Sequence, residues 1–293
     1  MSHLSGSIAK KIEPFETIAI VGIGLIGGSV ALAAKTRRLA KTVIGVGRDA
    51  RRLEVARLRG IIDEASVDLA AAGSRAQLLV FCTPVDRIPA GIREAAASCQ
   101  PGTLITDVGS VKGCLYRDLD EGLPGAVEFI GAHPLAGSEK QGFEYADERL
   151  FENRICVVTP LERNSAAAVA RIEGFWAGLG LTIVEMSPAA HDRALAETSH
   201  LPHLVASALA GTLSPENQAL AASGFRDTTR IAAGDPDLWS AIFLGNRDQV
   251  LATLLRYECL LERFRRALEQ NDADVLKELL KTAKIGRDAM AHG

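Results

Sequence analysis

Residues 17–29 read TIAIVGIGLIGGS, and no other stretch limits the possible folds so tightly. A short apolar run meets Gly22, Gly24 and Gly27 in the spacing G-x-G-x-x-G, and an Ala-rich amphipathic pattern begins at Val30. That succession is strand, tight turn, helix. Gly22 permits the turn, Gly24 leaves the backbone bare to an approaching pyrophosphate, and Gly27 lets the helix lie close on the strand. Phosphates then meet the unpaired N–H groups of a helix N-terminus, with Leu25, Ile26 and Gly27 in its first turn, where the dipole favours negative charge. A second apolar strand, 42–46, follows about 20 residues on, as a dinucleotide fold requires. The alternative is a glycine-rich turn with no ligand.

The rest of the composition narrows the class. A chain of 293 residues suggests two domains, and 47% apolar content is enough for real cores and too much for a disordered chain. The net charge is −3, with no basic block, which argues against a nucleic-acid partner. Residues 18–34 are apolar enough to mimic a membrane span, but their glycines and strand–turn–helix order argue against one. Residues 1–16 read as a loose leader with Lys10 and Lys11 and no apolar core of signal-peptide length. Cys82, Cys99, Cys114, Cys156 and Cys259 are scattered without a CxxC, which fits a reduced cytoplasmic enzyme better than a disulfide scaffold or a zinc site.

The end of the second strand selects the nucleotide. NAD folds place Asp or Glu there to hold the ribose hydroxyls. Here Gly47 takes that place and Arg48 follows, with Arg51 and Arg52 close behind. No carboxylate stands where it would repel a 2′-phosphate, and Arg48 offers one a charge-assisted contact, so the reading leans to NADP. Asp49 keeps NAD open, although it also reads as the N-cap of a helix from Ala50. The arginines read equally as a solvated helix face.

Further strand-like runs lie at 77–82, 103–106, 127–130, 155–158 and 181–184, alternating with helical stretches. This is the pattern of a doubly wound sheet, with the last strand expected on its outer part. Ligands bind beyond the carboxyl ends of such strands. Thr83, Pro84 and Asp107 are therefore expected at the cofactor. From Ser187 no strand-like run recurs. Helices are expected over about 189–211, 216–222, 236–270 with a break near Asn246, and 272–290. Leu251, Leu254, Leu255, Cys259 and residues 261–264 form an apolar stripe at helical spacing, which predicts a homodimer completed by a second copy.

Four polar stretches stand out. The run 107–112, DVGSVK, carries Ser110, whose hydroxyl can both donate and accept; it reads either as a site residue or as a helix N-cap. In GAHPLAGSEKQG, 131–142, His133 follows a strand end on the expected ligand edge, and Glu139 returns toward it. His191 and the run SHLPH, 199–203, put three histidines on one early helix; with no third ligand well placed, no metal is expected. In GFRDTTRI, 224–231, Asp227 lies between Arg226 and Arg230, which reads as a guanidinium held for a carboxylate or as a surface ion pair worth little.

Taken together, GxGLIGGS, DVGSVK, HPLAGSE-x-x-G, SHLPH and GFRDTTRIA followed by DPDLW resemble the prephenate/arogenate (cyclohexadienyl) dehydrogenases of tyrosine biosynthesis, over about residues 17–289. The resemblance implies an α/β fold: an N-terminal doubly wound Rossmann-type domain, 1–186, and an all-α C-terminal substrate and dimerisation domain, 187–293. It implies oxidative decarboxylation of prephenate or arogenate with hydride transfer to NAD or NADP. His133 is then the catalytic base and Ser110 its support. Glu139, His203, Arg230, Asp227 and Trp239 fall at substrate positions, with Asp227 aligning Arg230. Many members carry an acidic residue where this chain has Gly47. No regulatory ACT domain is expected after Gly293, and no chorismate mutase segment before Thr17. The rival enzyme class, hydroxy-acid and imine reductases of similar build, relies on a catalytic Lys; Lys112 is the only central candidate, and 187–276 contains none. A nucleotide-binding sensor would leave His133, Ser110 and Arg230 without a purpose.

Overall fold

The computed structural model describes residues 13–120, 122–137 and 140–290. Six strands form one parallel sheet: β1 (Phe15–Val21), β2 (Ala40–Val46), β3 (Glu64–Ser66), β4 (Leu78–Phe81), β5 (Leu104–Asp107) and β6 (Glu128–Phe129), in the order β3-β2-β1-β4-β5-β6. The order reverses between β1 and β4, which opens a crevice at the carboxyl edge. Helices α1 (Leu25–Thr36), α2 (Ala50–Leu58), α3 (Leu69–Gly73), α4 (Ile88–Ala96), α5 (Gly113–Asp118) and α6 (Ala166–Gly178) cover both faces. Ile18 and Ile20 of β1 pack in one layer with Val30 of α1 and Trp176 of α6. Ala19 and Val21 pack in the other with Ile92 of α4 and Leu115 of α5. Burial on both faces is why the central strands read as continuous apolar runs rather than alternating ones.

The last strands depart from the expected single sheet. β7 (Gly131–Pro134), β8 (Ile155–Thr159) and β9 (Thr182–Glu185) make a second sheet, β7 antiparallel to β8 and β8 parallel to β9. The chain changes sheets at Ile130, whose N–H still reaches Ile105 O at 2.9 Å. The next N–H, of Gly131, donates to the Tyr116 hydroxyl at 2.8 Å, and that hydroxyl donates to the Thr159 carbonyl. One buried hydroxyl thus holds the corner. His133 accordingly follows the end of the parallel β6, as expected, but lies in a further strand, opposite Val157 in an antiparallel pair.

Two further expectations are corrected. The three-residue β3 was not foreseen. Phe15 and Glu16, read as leader, belong to β1; Phe15 is buried edge-on against Phe175. Residues 1–12 lie outside the described residues.

Every regular element after β9 is helical: α7 (Pro188–Leu195), α8 (Leu201–Gly211), α9 (Ser223–Thr229), α10 (Pro236–Gly245), α11 (Arg247–Glu269) and α12 (Ala273–Met290). A wide π-type turn, Ala196–His200, joins α7 to α8. Its cause lies in Pro202, which has no N–H to give the carbonyl four residues back and whose ring crowds it. A 3-10 turn, Pro215–Leu220, replaces the helix expected at 216–222, and α9 was not expected. The break at Asn246 occurs as expected. Among the described residues, no helix is long and apolar enough to cross a membrane.

Candidate active site

The glycine turn is dictated by sterics. Gly22 has φ +97°, and a Cβ on it would lie 2.9 Å from Cys82 O. A Cβ on Gly27 would lie 2.0 Å from Gly22 O, an overlap that only a shift of the backbone could relieve. Around Gly24 the space is open. The first-turn N–H groups of α1, those of Leu25, Ile26 and Gly27, have no acceptor within their own helix. Beside the turn, the Thr83 Oγ1 is buried without a partner among the described residues, and Pro84 is exposed at the next position. A bare backbone cradle next to an orphaned hydroxyl fits a bound dinucleotide phosphate group. At the end of β2, Gly47, Asp49, Arg52, Leu53, Ile23 and Phe143 line a small cleft. Asp49 caps α2, its carboxylate accepting from Arg51 N at 2.9 Å and Arg52 N at 3.1 Å. Arg52 lies over the Phe143 ring and 3.5 Å from Glu144, while Arg48 is exposed.

Asp107, expected at the cofactor, is instead wholly buried. Its carboxylate pairs with the buried Lys112 ammonium and accepts from Gly109 N at 2.8 Å and Ala132 N at 3.1 Å. A buried charge needs such company, and here it closes the loop 108–112 on itself and ties β5 to β7. Ser110 sits on that loop, half-buried, with no side-chain hydrogen bond among the described residues. It is not an N-cap: α5 begins at Gly113, and its first N–H groups are capped from another element. Asp192 of α7 accepts from Lys112 N at 2.9 Å and Gly113 N at 2.8 Å.

Asp192 also anchors the histidines. The His191 Nδ1 lies 2.8 Å from Asp192 Oδ1, and the His191 Nε2 lies 2.9 Å from the His133 Nδ1. Asn246, between α10 and α11, donates to Asp192 O at 2.7 Å and lies 3.1 Å from the His200 Nδ1. Burial holds the His133 pKa well below the ordinary imidazole value, and the proximity of His191, Lys112 and His200, which would each oppose a second positive charge there, lowers it further. Burial also lowers His191, against the pull of Asp192, and brings His200 to about 4. Burial pushes Asp192 up, but hydrogen bonds from His191 and the two N–H groups outweigh it, and the carboxyl lies below its usual value. The His191–Asp192 pair was missed as a functional unit from sequence; the adjacent His and Asp at a helix start were the available signal.

On the helical side, His203 is buried on α8 with its ring stacked on Trp239 of α10, centroids 3.5 Å apart and planes 11° apart. A Cβ on Gly234 would lie 2.5 Å from the Trp239 Nε1 and 2.9 Å from the His203 Cε1, so glycine is what lets the chain pass this stack. The His203 Nδ1 and His200 Nε2 are buried without partners among the described residues. Arg230 opens a 3-10 turn, Arg230–Ala233, and is exposed. The expected alignment of Arg230 by Asp227 is not found. Both side chains are exposed, and no ion pair links them among the described residues, because water solvates both at little cost. Glu139 lies outside the described residues. Two residues on, Gln141 donates to Asp235 at 2.9 Å, joining the loop after β7 to the turn that follows Arg230.

Comparison with known proteins adds a family. Residues 30–185 match the family model for the prephenate dehydrogenase nucleotide-binding domain, and residues 187–282 the one for the prephenate dehydrogenase dimerization domain. The chain is 36% identical over 282 residues to a prephenate dehydrogenase of Bacillus subtilis, covering 94% of this chain and 76% of that one. It is 34% identical over 283 residues to a cyclohexadienyl dehydrogenase of Zymomonas mobilis, covering 94% and 96%. The Aquifex aeolicus prephenate dehydrogenase, solved with hydroxyphenyl propionate and NAD+, superposes with a TM-score of 0.88 at 30% identity, covering 96% of this chain and 100% of that one.

Proposed function

The chain belongs to the prephenate dehydrogenase family, and from that premise we infer how its own residues divide the reaction. The reaction is oxidative decarboxylation of prephenate or arogenate with hydride transfer to a nicotinamide dinucleotide. The substrate is a cyclohexadiene with a ring hydroxyl, a ring carboxylate and a side-chain carboxylate. Hydride leaves the hydroxyl-bearing carbon, carbon dioxide leaves the opposite carbon, and aromatisation favours both. Bound at the glycine turn, the cofactor supplies the hydride acceptor. The chain must hold the ring, take the hydroxyl proton and grip an anion.

His133 takes the proton. The observation that carries this assignment is a buried imidazole kept neutral, next to a loop that opens on the carboxyl edge of the sheet. Ser110, on that loop, orients the substrate hydroxyl. Arg230 binds a substrate carboxylate, and the His203–Trp239 stack forms a wall for the side chain. For the cofactor we favour NADP: Arg48 is exposed just past the end of β2, and Asp49 is engaged in capping α2. NAD is the second reading, favoured by the position of Asp49 on the same cleft.

We also propose that a second copy covers the helical lobe. Leu251, Leu255 and Cys259 recur at four-residue spacing on α11, and all are exposed in the single chain. Sedimentation at micromolar concentration should give the mass of two chains; the mass of one would reject the dimer. The function itself is tested by a two-by-two assay of prephenate and arogenate with NAD and NADP, read at the nicotinamide absorbance. Activity should appear with at least one substrate and be greater with NADP. No turnover in any combination would reject the reading, and a preference for NAD would reject the cofactor assignment alone.

A further inference from the structure

We propose that His191 and Asp192 act together as a positioning pair that locks His133 in the tautomer leaving its Nε2 free to accept a proton, and that they share the positive charge His133 then acquires. This rests on the reading of His133 as the base. Asp192 is ionised and accepts hydrogen bonds from two backbone N–H groups, so at its contact with His191 it can only accept. The His191 Nδ1 therefore carries a hydrogen. A neutral imidazole has one, so the His191 Nε2 presents a lone pair. That lone pair faces the His133 Nδ1 at 2.9 Å, which must then be the donor. His133 is left with its lone pair on Nε2.

The same chain serves when the substrate hydroxyl gives up its proton. The proton goes to the His133 Nε2. The hydrogen on the His133 Nδ1 stays there or moves to the His191 Nε2, and the hydrogen on the His191 Nδ1 stays against Asp192. No proton is lost, and the new positive charge rests on two imidazoles that end at a carboxylate. The other groups around His133 do not compete for this role. Lys112 is already paired with Asp107, the Cys156 thiol of β8 is pushed upward by burial and stays neutral, and the His200 Nδ1 is held by Asn246. His191 is itself wholly buried, with no solvent to supply another partner.

The test is a long-range 15N–1H spectrum of the full chain labelled in its histidines, near pH 7.5, with His133 assigned by comparison with His133→Asn. The parent protein should show His133 protonated on Nδ1 and bare on Nε2. In His191→Leu, which removes the acceptor but keeps an apolar side chain in the space, His133 should shift toward the Nε2–H form. Turnover should fall about 10²-fold, the scale of a misplaced acid–base group. In His191→Gln, whose amide oxygen can still accept from Nδ1–H, the tautomer should return, with turnover within about tenfold of the parent. An Nε2–H tautomer in the parent would overturn the proposal, and that spectrum decides even if a variant fails to fold. An unchanged tautomer and turnover in His191→Leu would also overturn it. If the parent tautomer is as expected but His133→Asn turns over normally, the base assignment fails while the lock stands.

Discussion

His133 and Arg230 sit in opposite surroundings. Around His133 the polar groups are buried and paired within the chain: Asp107 with Lys112, Asp192 with His191 and two N–H groups, and His200 with Asn246. Arg230 stands in water on a short turn, with no ion pair to Asp227 or any other described residue. The difference separates two jobs. A group that handles a proton gains from fixed dipoles and a known tautomer, because nothing need reorganise at the moment of reaction. A group that captures a free anion gains from staying solvated until the anion arrives, and its energy goes into binding more than into rate. Damage on the first side should appear in stability and turnover, and damage on the second in the Michaelis constant.

The largest stability effect should come from Lys112→Met. It leaves the Asp107 carboxylate buried and uncompensated, a change that costs about 3–5 kcal/mol. Urea unfolding should show that loss, whereas Arg230→Gln should leave stability within about 0.5 kcal/mol of the parent. Equal effects would break the contrast. Next in size, Arg230→Gln should raise the Michaelis constant about 10–100-fold, as expected when a charged hydrogen bond worth about 1.5–3 kcal/mol is lost. A change confined to cofactor affinity would remove Arg230 from the substrate.

A smaller effect concerns pH. His133, His191, His200 and His203 all have folded pKa values below the ordinary imidazole value of 6.5. Below that pH the unfolded chain binds protons that the folded one does not. Their contribution to stability is therefore complete above about pH 6.5 and declines as pH falls toward the folded values, that of His200 being about 4. The melting temperature should fall on acidification from pH 6.5 to 4 and be level, as far as these groups go, from 6.5 to 8. A decline on the alkaline side alone would contradict the buried neutral histidines.

The same contrast explains what could be read in advance. The glycine turn was legible because each glycine answers a local steric demand, at Gly22 and Gly27 against backbone atoms. The central strands were legible because both faces are buried. The run 131–134 was not, because the chain passes from one sheet to another at Ile130 without a turn residue, and the device that makes it do so is a distant Tyr116 hydroxyl. Asp107 looked like a ligand residue because it ends a parallel strand; only the packing shows its charge answered by Lys112. His191 stood among the noticed histidines, but its partners come from β7 and its own neighbour Asp192. Sequence spacing carries no sign of the first contact.

The most direct measurement is steady-state turnover of His133→Asn with the preferred substrate and cofactor. Removal of the proton acceptor should cut kcat by about 10²–10⁴-fold while substrate affinity stays nearly intact. A kcat equal to that of the parent, or a loss confined to the Michaelis constant, would contradict the account.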